Sequence, residues 1–233
     1  MKKNKSKGSP SLGPFFVYWR GEIEERYLRF MKPIGRYLAD SGVDPDLMTV
    51  VGCFFNGLAG LVYAQGAFFW AAWVVLIAGL CDTLDGLIAR LTHKQSAKGA
   101  FFDSIMDQYS DLFLFLGLAY FFVSNETLYG FARNIRIQSG FWPMIWIILA
   151  LSGSFMVSYT RARAEGLGLE CKQGIMQRPE RLVLLILGSW LSALPRAGFL
   201  IFEIILGLLA ILTHLTALQR IVYIRKRLMA RSK

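Results

Sequence analysis

The sequence predicts an all-α, polytopic integral membrane protein: six transmembrane helices preceded by an N-terminal amphipathic interfacial helix. Three observations carry this reading. Hydrophobic residues make up 55% of the 233 and charged residues only 18%, against about 25% charged in soluble domains. Six apolar stretches separated by polar breaks approach the roughly 20 residues that a bilayer crossing requires. The basic residues fall in the connections in an alternating pattern, as the positive-inside rule demands.

The elements follow in order. Residues 1–20 read as a basic tail and 21–233 as a single membrane domain. Ile23, Tyr27, Phe30, Met31, Ile34 and Leu38 recur at helical spacing, with Glu, Arg and Lys on the other face. That pattern predicts an amphipathic helix at the membrane surface over about 21–40. Asp44-Pro45 reads as a helix start, with Asp44 capping and Pro45 near the first position. Apolar spans are expected at about 47–65, 67–90, 99–123, 141–162, 181–195 and 198–219, followed by a basic C-terminal tail. No internal repeat and no second domain is visible. No apolar stretch follows the basic start closely enough to read as a secretion signal.

The charges test the layout. Residues 1–40, 90–98, 161–181 and 220–233 hold 23 of the 26 Lys and Arg. With six spans and a cytoplasmic N-terminus all four segments lie inside, and only Arg133, Arg136 and Arg196 lie outside. Both termini are then cytoplasmic, in the cell membrane. The net charge of +10 is explained by this sorting and by anionic headgroups. No nucleic-acid-binding motif accompanies it, so nucleic acid is not an expected partner. Three cysteines without a CxxC, and two isolated histidines, point to neither a disulfide framework nor a zinc site.

Four carboxylates sit where carboxylates are expensive. Asp82 and Asp85, at i and i+3, share a face at the end of the second span. Asp103 and Asp107, at i and i+4, share a face at the start of the third. The short link between makes these helices antiparallel neighbours, so the two pairs can face one another at the cytoplasmic boundary. Each charge placed in a membrane costs about 2.5–3.5 kcal/mol on insertion scales. A hard divalent cation with oxygen ligands offsets this, and Mg²⁺ or Mn²⁺ suits an all-carboxylate set. Asp111 continues the row and reads as a structural neighbour. Such an ion beside a membrane surface suits phosphoryl chemistry, with a spare carboxylate as base.

These residues resemble the signature of the CDP-alcohol phosphotransferase family, D-x2-D-G-x2-A-R-x8-G-x3-D-x3-D. Asp82, Asp85, Gly86, Ala89, Arg90, Gly99, Asp103 and Asp107 match every fixed position and spacing. The resemblance implies a site of two metal ions held by Asp82, Asp85, Asp103 and Asp107, with Asp107 also the base. It places Gly86, Ala89 and Arg90 around the CDP part of the lipid substrate, with Ser96 nearby. Asp46, Leu47, Met48 and Thr49 are similar to another family element near the nucleotide, with Asp46 where Asn is usual. Tyr159 to Glu165 and Arg178 to Arg181 resemble the phosphatidylinositol phosphate synthase branch. By that likeness Arg161, Pro179, Arg181 and Arg220 shape a pocket for the acceptor's phosphate. Arg163 and Arg178 read as ordinary positive-inside charge.

The resemblance implies transfer of a phosphatidyl-type group from a CDP-lipid, CDP-diacylglycerol, to a phosphorylated polyol such as inositol 1-phosphate, with release of CMP. It also implies a homodimer. Glycerol 3-phosphate is the alternative acceptor. A divalent-cation carrier is the alternative of another class, opposed by the absence of a second acidic layer deeper in the membrane.

Overall fold

The computed structural model describes residues 14–124, 141–171, 173–195 and 198–231. Arg133, Arg136 and Arg196, expected outside, and most of the basic tail lie beyond the described residues. The described chain forms seven helices: α1 Pro14–Asp40, α2 Pro45–Ala64, α3 Phe68–Leu91, α4 Ala97–Ser124, α5 Phe141–Glu165, α6 Arg178–Leu191 and α7 Gly198–Arg231. Four of them, α2, α3, α5 and α7, are long and apolar enough to cross a membrane. Of the two remaining expected spans, α4 has the length, but Lys98, Asp103, Asp107 and Asp111 charge its first half. Helix α6 has 14 residues, about 21 Å, against a hydrocarbon core of about 30 Å.

Among the boundaries that differ from the sequence expectation, three change the reading. Helix α1 begins at Pro14, so residues 14–20 are helical rather than tail. Helix α6 stops at Leu191, where 195 is expected: the chain turns through Ala193 and Leu194 ahead of Pro195, a residue that cannot extend a helix ladder. Helix α7 runs to Arg231, so the basic C-terminal segment continues the last helix. Arg231 anchors that extension on the carbonyls of Leu167 at 3.3 Å and Gly168 at 3.0 Å.

The expected start of α2 is present. Asp44 accepts a hydrogen bond from the Asp46 N–H at 3.0 Å, with Pro45 in the first turn. Helix α2 packs on α3 and α4, α5 on α7, α3 on α6, and α1 on α3. Glycine allows α2 and α4 to touch backbone to backbone. A Cβ at Gly117 would run into the Gly60 carbonyl, and one at Gly60 into the Phe113 carbonyl, a contact that only small residues permit.

An aromatic core closes the end of the bundle away from the carboxylates. Phe68 at the start of α3 packs edge-on against Phe121 at 4.8 Å and Phe202 at 4.9 Å between ring centres. Tyr63 is fully buried beside it and shares a 2.6 Å hydrogen bond with Ser189, so its hydroxyl is not left unpaired. The outer faces present Phe54, Leu61, Leu116, Tyr120, Phe155 and Ile211, the surface a lipid solvent requires.

Helix α1 lies against α3 through Met31, Leu38 and Gly35, the last in close contact with Leu87. Ile23, Phe30, Ile34 and Tyr37 remain exposed. Thus the predicted apolar stripe divides: one edge packs on the bundle and the other faces outward.

Candidate active site

The carboxylates come together at the end of the bundle opposite the aromatic core. Asp82 and Asp85 lie two turns from the end of α3, and Asp103 and Asp107 lie in the second and third turns of α4. A single nitrogen shows that the two helices share one site. Arg178 Nη1 donates to Asp82 Oδ2 at 2.5 Å and stands 2.6 Å from Asp107 Oδ1.

Helix α2 forms the second wall. The Thr49 hydroxyl donates to Asp85 Oδ2 at 2.8 Å, and the Gly86 N–H donates to Asp85 Oδ1 at 2.5 Å. Each oxygen of this buried carboxylate therefore accepts one hydrogen bond. Gly52 lets α2 approach: a Cβ there would meet Asp82 Oδ1 at 2.6 Å. At Gly86 an added Cβ would find only Arg90 Nη2, at 3.8 Å, so the space over Gly86 is open. Arg90 is exposed and its Nε donates to the Gly86 carbonyl at 2.9 Å.

Ser96 Oγ accepts from the Gly99 N–H at 3.0 Å and starts α4. A Cβ on Gly99 would lie 3.3 Å from Ser96 Oγ and 3.5 Å from Asp46 Oδ1. The expected CDP-side residues Asp46, Gly86, Arg90 and Ser96 thus lie at the same end of α2, α3 and α4 as the carboxylates, with Thr49 buried against Asp85. Leu47 is exposed, and Met48 packs beneath with Leu84 and Leu87.

Helix α6 supplies the opposing charge. Its start is set by Glu180, whose carboxylate accepts from the Gln177 N–H at 3.0 Å, with Pro179 in the first turn. Arg181 is buried and donates from Nη2 to Asp111 Oδ2 at 2.8 Å. Arg178 Nε lies 3.8 Å from the other Asp111 oxygen. Arg161 is more than half exposed and pairs with Glu165 at 2.9 Å. Arg220 is buried, and its Nε and Nη1 donate to the carbonyls of Gln173 and Val157, each at 2.6 Å. Those bonds, with Met176 N–H to Thr216 Oγ1 at 3.0 Å, pin the loop that leads into α6.

Two residues carry more than their sequence reading. Arg178 reads as topological charge, yet it is the residue that joins α3, α4 and α6. Asp111 reads as a neighbour of the site, and it holds both α6 arginines. The row Asp103, Asp107, Asp111 at intervals of four was the available signal for Asp111. For Arg178, 96 residues from Asp82, the signal was its place at the head of the Arg178 to Arg181 stretch.

The residue types fit a hard divalent cation. Asp82, Asp85, Asp103, Asp107 and Asp111 bring five carboxylates to one end of the bundle, and Arg178 and Arg181 from α6 pair with three of them. Among the described residues no three His, Cys, Asp or Glu donors already converge in metal-holding positions. The cation between Asp82 and Asp107 is a guanidinium.

Residues 43–218 match the family model of CDP-alcohol phosphatidyltransferase. The chain belongs to this family. It is accordingly a phosphotransferase, which decides against the carrier reading. Its relatives include an archaetidylinositol phosphate synthase of Methanothermobacter thermautotrophicus, 32% identical over 212 residues, 89% of this chain and 98% of the relative. A phosphatidylinositol phosphate synthase of Streptomyces avermitilis is 30% identical over 86% of this chain and 80% of its own. The fold is similar to crystal structures of the Mycobacterium tuberculosis phosphatidylinositol phosphate synthase. The form with CDP-DAG bound is 31% identical, with TM-score 0.68, covering 84% of this chain and 94% of that one. The form with manganese and citrate gives a TM-score of 0.70 at 30% identity, covering 83% and 88%.

Proposed function

We propose that this family member transfers the phosphatidyl-type group of CDP-diacylglycerol, or of a CDP-lipid with other tails, to inositol 1-phosphate, releasing CMP. The observation that carries the proposal is the meeting of α6 arginines with the α3 and α4 carboxylates. A donor pyrophosphate needs the acidic, metal-holding side; a phosphomonoester acceptor needs fixed guanidinium groups beside it. The names of the relatives support inositol phosphate over glycerol 3-phosphate.

Asp82, Asp85, Asp103 and Asp107 would hold Mg²⁺ or Mn²⁺, as two ions. Bound ions supply charge neutralisation at the pyrophosphate as its bond breaks. Asp46, Leu47, Met48, Thr49, Gly86, Ala89, Arg90 and Ser96 bind the CDP part, with open room over Gly86 for the nucleotide. Arg161, Pro179 and Arg181 form the acceptor-phosphate wall, and Arg220 fixes the loop beneath it. Asp107 takes the proton of the acceptor hydroxyl. That oxygen bonds to the β-phosphorus, and the bond from β-phosphorus to the bridging oxygen breaks, so CMP departs with the bridging oxygen.

In this reading α4 and α6 complete six spans in the cell membrane, α1 lies in the interface, and both termini and the site face the cytoplasm. The molecule is a homodimer. The test is CMP release from CDP-diacylglycerol with inositol 1-phosphate, glycerol 3-phosphate, free inositol or serine, each with and without EDTA. EDTA-sensitive release with inositol 1-phosphate is expected. Release with glycerol 3-phosphate alone would move the acceptor and leave the metal site and base in place.

A further inference from the structure

We propose that Arg178 is a tethered cation that occupies the carboxylate site when no metal is bound and is exchanged for the incoming divalent ion. This rests on reading Asp82 and Asp107 as metal ligands.

The geometry makes the two occupants competitors for the same two oxygens, Asp82 Oδ2 and Asp107 Oδ1. One nitrogen, Nη1, lies at 2.5 Å from Asp82 and 2.6 Å from Asp107. A metal ion that takes those same oxygens must break both contacts. Asp107, as base, is also tied up while the guanidinium holds it. Arg178 is thus set to keep ligand and base inactive together.

The surroundings favour a swing of the side chain over a movement of the helix. The α6 start is fixed by Glu180 on the Gln177 N–H, and the loop before it by Thr216 and Arg220. The guanidinium itself is only partly satisfied. Nε and Nη2 are buried without a hydrogen-bond partner among the described residues, and an unused buried donor lowers the worth of the bonds that are made. Neighbouring Arg181 also presents a buried Nη1 with no hydrogen-bond partner among the described residues. An anion arriving on this side would satisfy donors that the carboxylates do not reach. Metal binding on one side and acceptor phosphate on the other would then pull Arg178 the same way.

The experiment uses the full-length protein in detergent with Mn²⁺ alone as probe. Phenylglyoxal labelling of Arg178 is followed by mass spectrometry, and Mn²⁺ affinity by the EPR signal of the free ion. Wild-type Arg178 should label slowly in EDTA and at least about threefold faster in saturating Mn²⁺. Arg178→Gln should bind Mn²⁺ about tenfold more tightly than wild type, because it removes the cation between the two carboxylates, and Arg178→Lys, which keeps a single cationic nitrogen, should stay closer to wild type. Labelling unchanged by Mn²⁺ would overturn the exchange even if neither variant folds. Arg178→Gln binding Mn²⁺ as wild type does would remove Arg178 from competition for the site. No Mn²⁺ binding by wild type would instead sink the metal site itself, and the exchange with it.

Discussion

Thr49 in the first turns of α2 donates its hydroxyl hydrogen to Asp85 of α3 across 2.8 Å, and both residues are buried. This bond joins the CDP-side element of α2 to the signature helix. It holds one carboxylate oxygen in a fixed direction. Thr49→Val keeps the shape and removes the donor. The expected loss is about 1.5–3 kcal/mol, the usual worth of a hydrogen bond to a charged group. Thermal unfolding in detergent would show it as a lower Tm, and CMP release as a higher KM for the CDP-lipid. An unchanged Tm would mean that Asp85 finds another donor.

Asp107→Asn should lower kcat for CMP release about a hundredfold or more, the scale of general-base catalysis. Binding of the CDP-lipid, measured by equilibrium titration, should be largely kept. Turnover near wild type would remove Asp107 from the role of base.

Arg220 and Arg161 should separate in kind. Arg220→Ala removes the 2.6 Å bonds to the Gln173 and Val157 carbonyls and takes that donor from the half-buried Gln173 carbonyl. Its main effect should be a fall in Tm. Arg161 is about half exposed and paired with Glu165 on its own helix. Arg161→Ala should leave Tm alone and raise the acceptor KM about tenfold, the worth of one charge-assisted contact. The reverse pattern would exchange their assignments.

Two glycines make a similar contrast. Gly117→Ala drives a methyl group into the Gly60 carbonyl and should cost about 1–3 kcal/mol by overpacking, read as a lower Tm. Gly86→Ala meets nothing closer than 3.8 Å. It should fold normally and bind the CDP-lipid poorly, because the methyl fills the space over the signature helix.

What could be read from the sequence was what obeys a local period. Asp82 and Asp85, and Asp103 and Asp107, share helix faces by spacing alone, and the short link between them made their helices neighbours. The start at Asp44-Pro45 is a matter of adjacent residues. What could not be read depends on distance in the chain. Arg178 opens a recognisable stretch, Arg178 to Arg181, but its partners on α3 and α4 emerge only when α6 is docked beside them. Arg220 sits in a basic run where charge counts explain it, and only the fold puts two carbonyls against it. The helical ends were obscured by composition: Ile221, Tyr223, Ile224 and Leu228 continue the apolar pattern of α7, but the surrounding Arg and Lys read as tail.

The contact between Gly60 and Gly117 has a mechanical meaning. Two backbones in direct touch leave no compressible layer of side chains between α2 and α4 at that depth. The helices cannot slide apart there without losing contact, so the pair behaves as a fulcrum. Thr49 lies about three turns along α2 from it, and Asp107 nearly three turns along α4. A small change of angle at the fulcrum becomes a wide change of gap at the reaction end. A side chain added at either glycine would therefore change the gap at the reaction end as well as the contact itself.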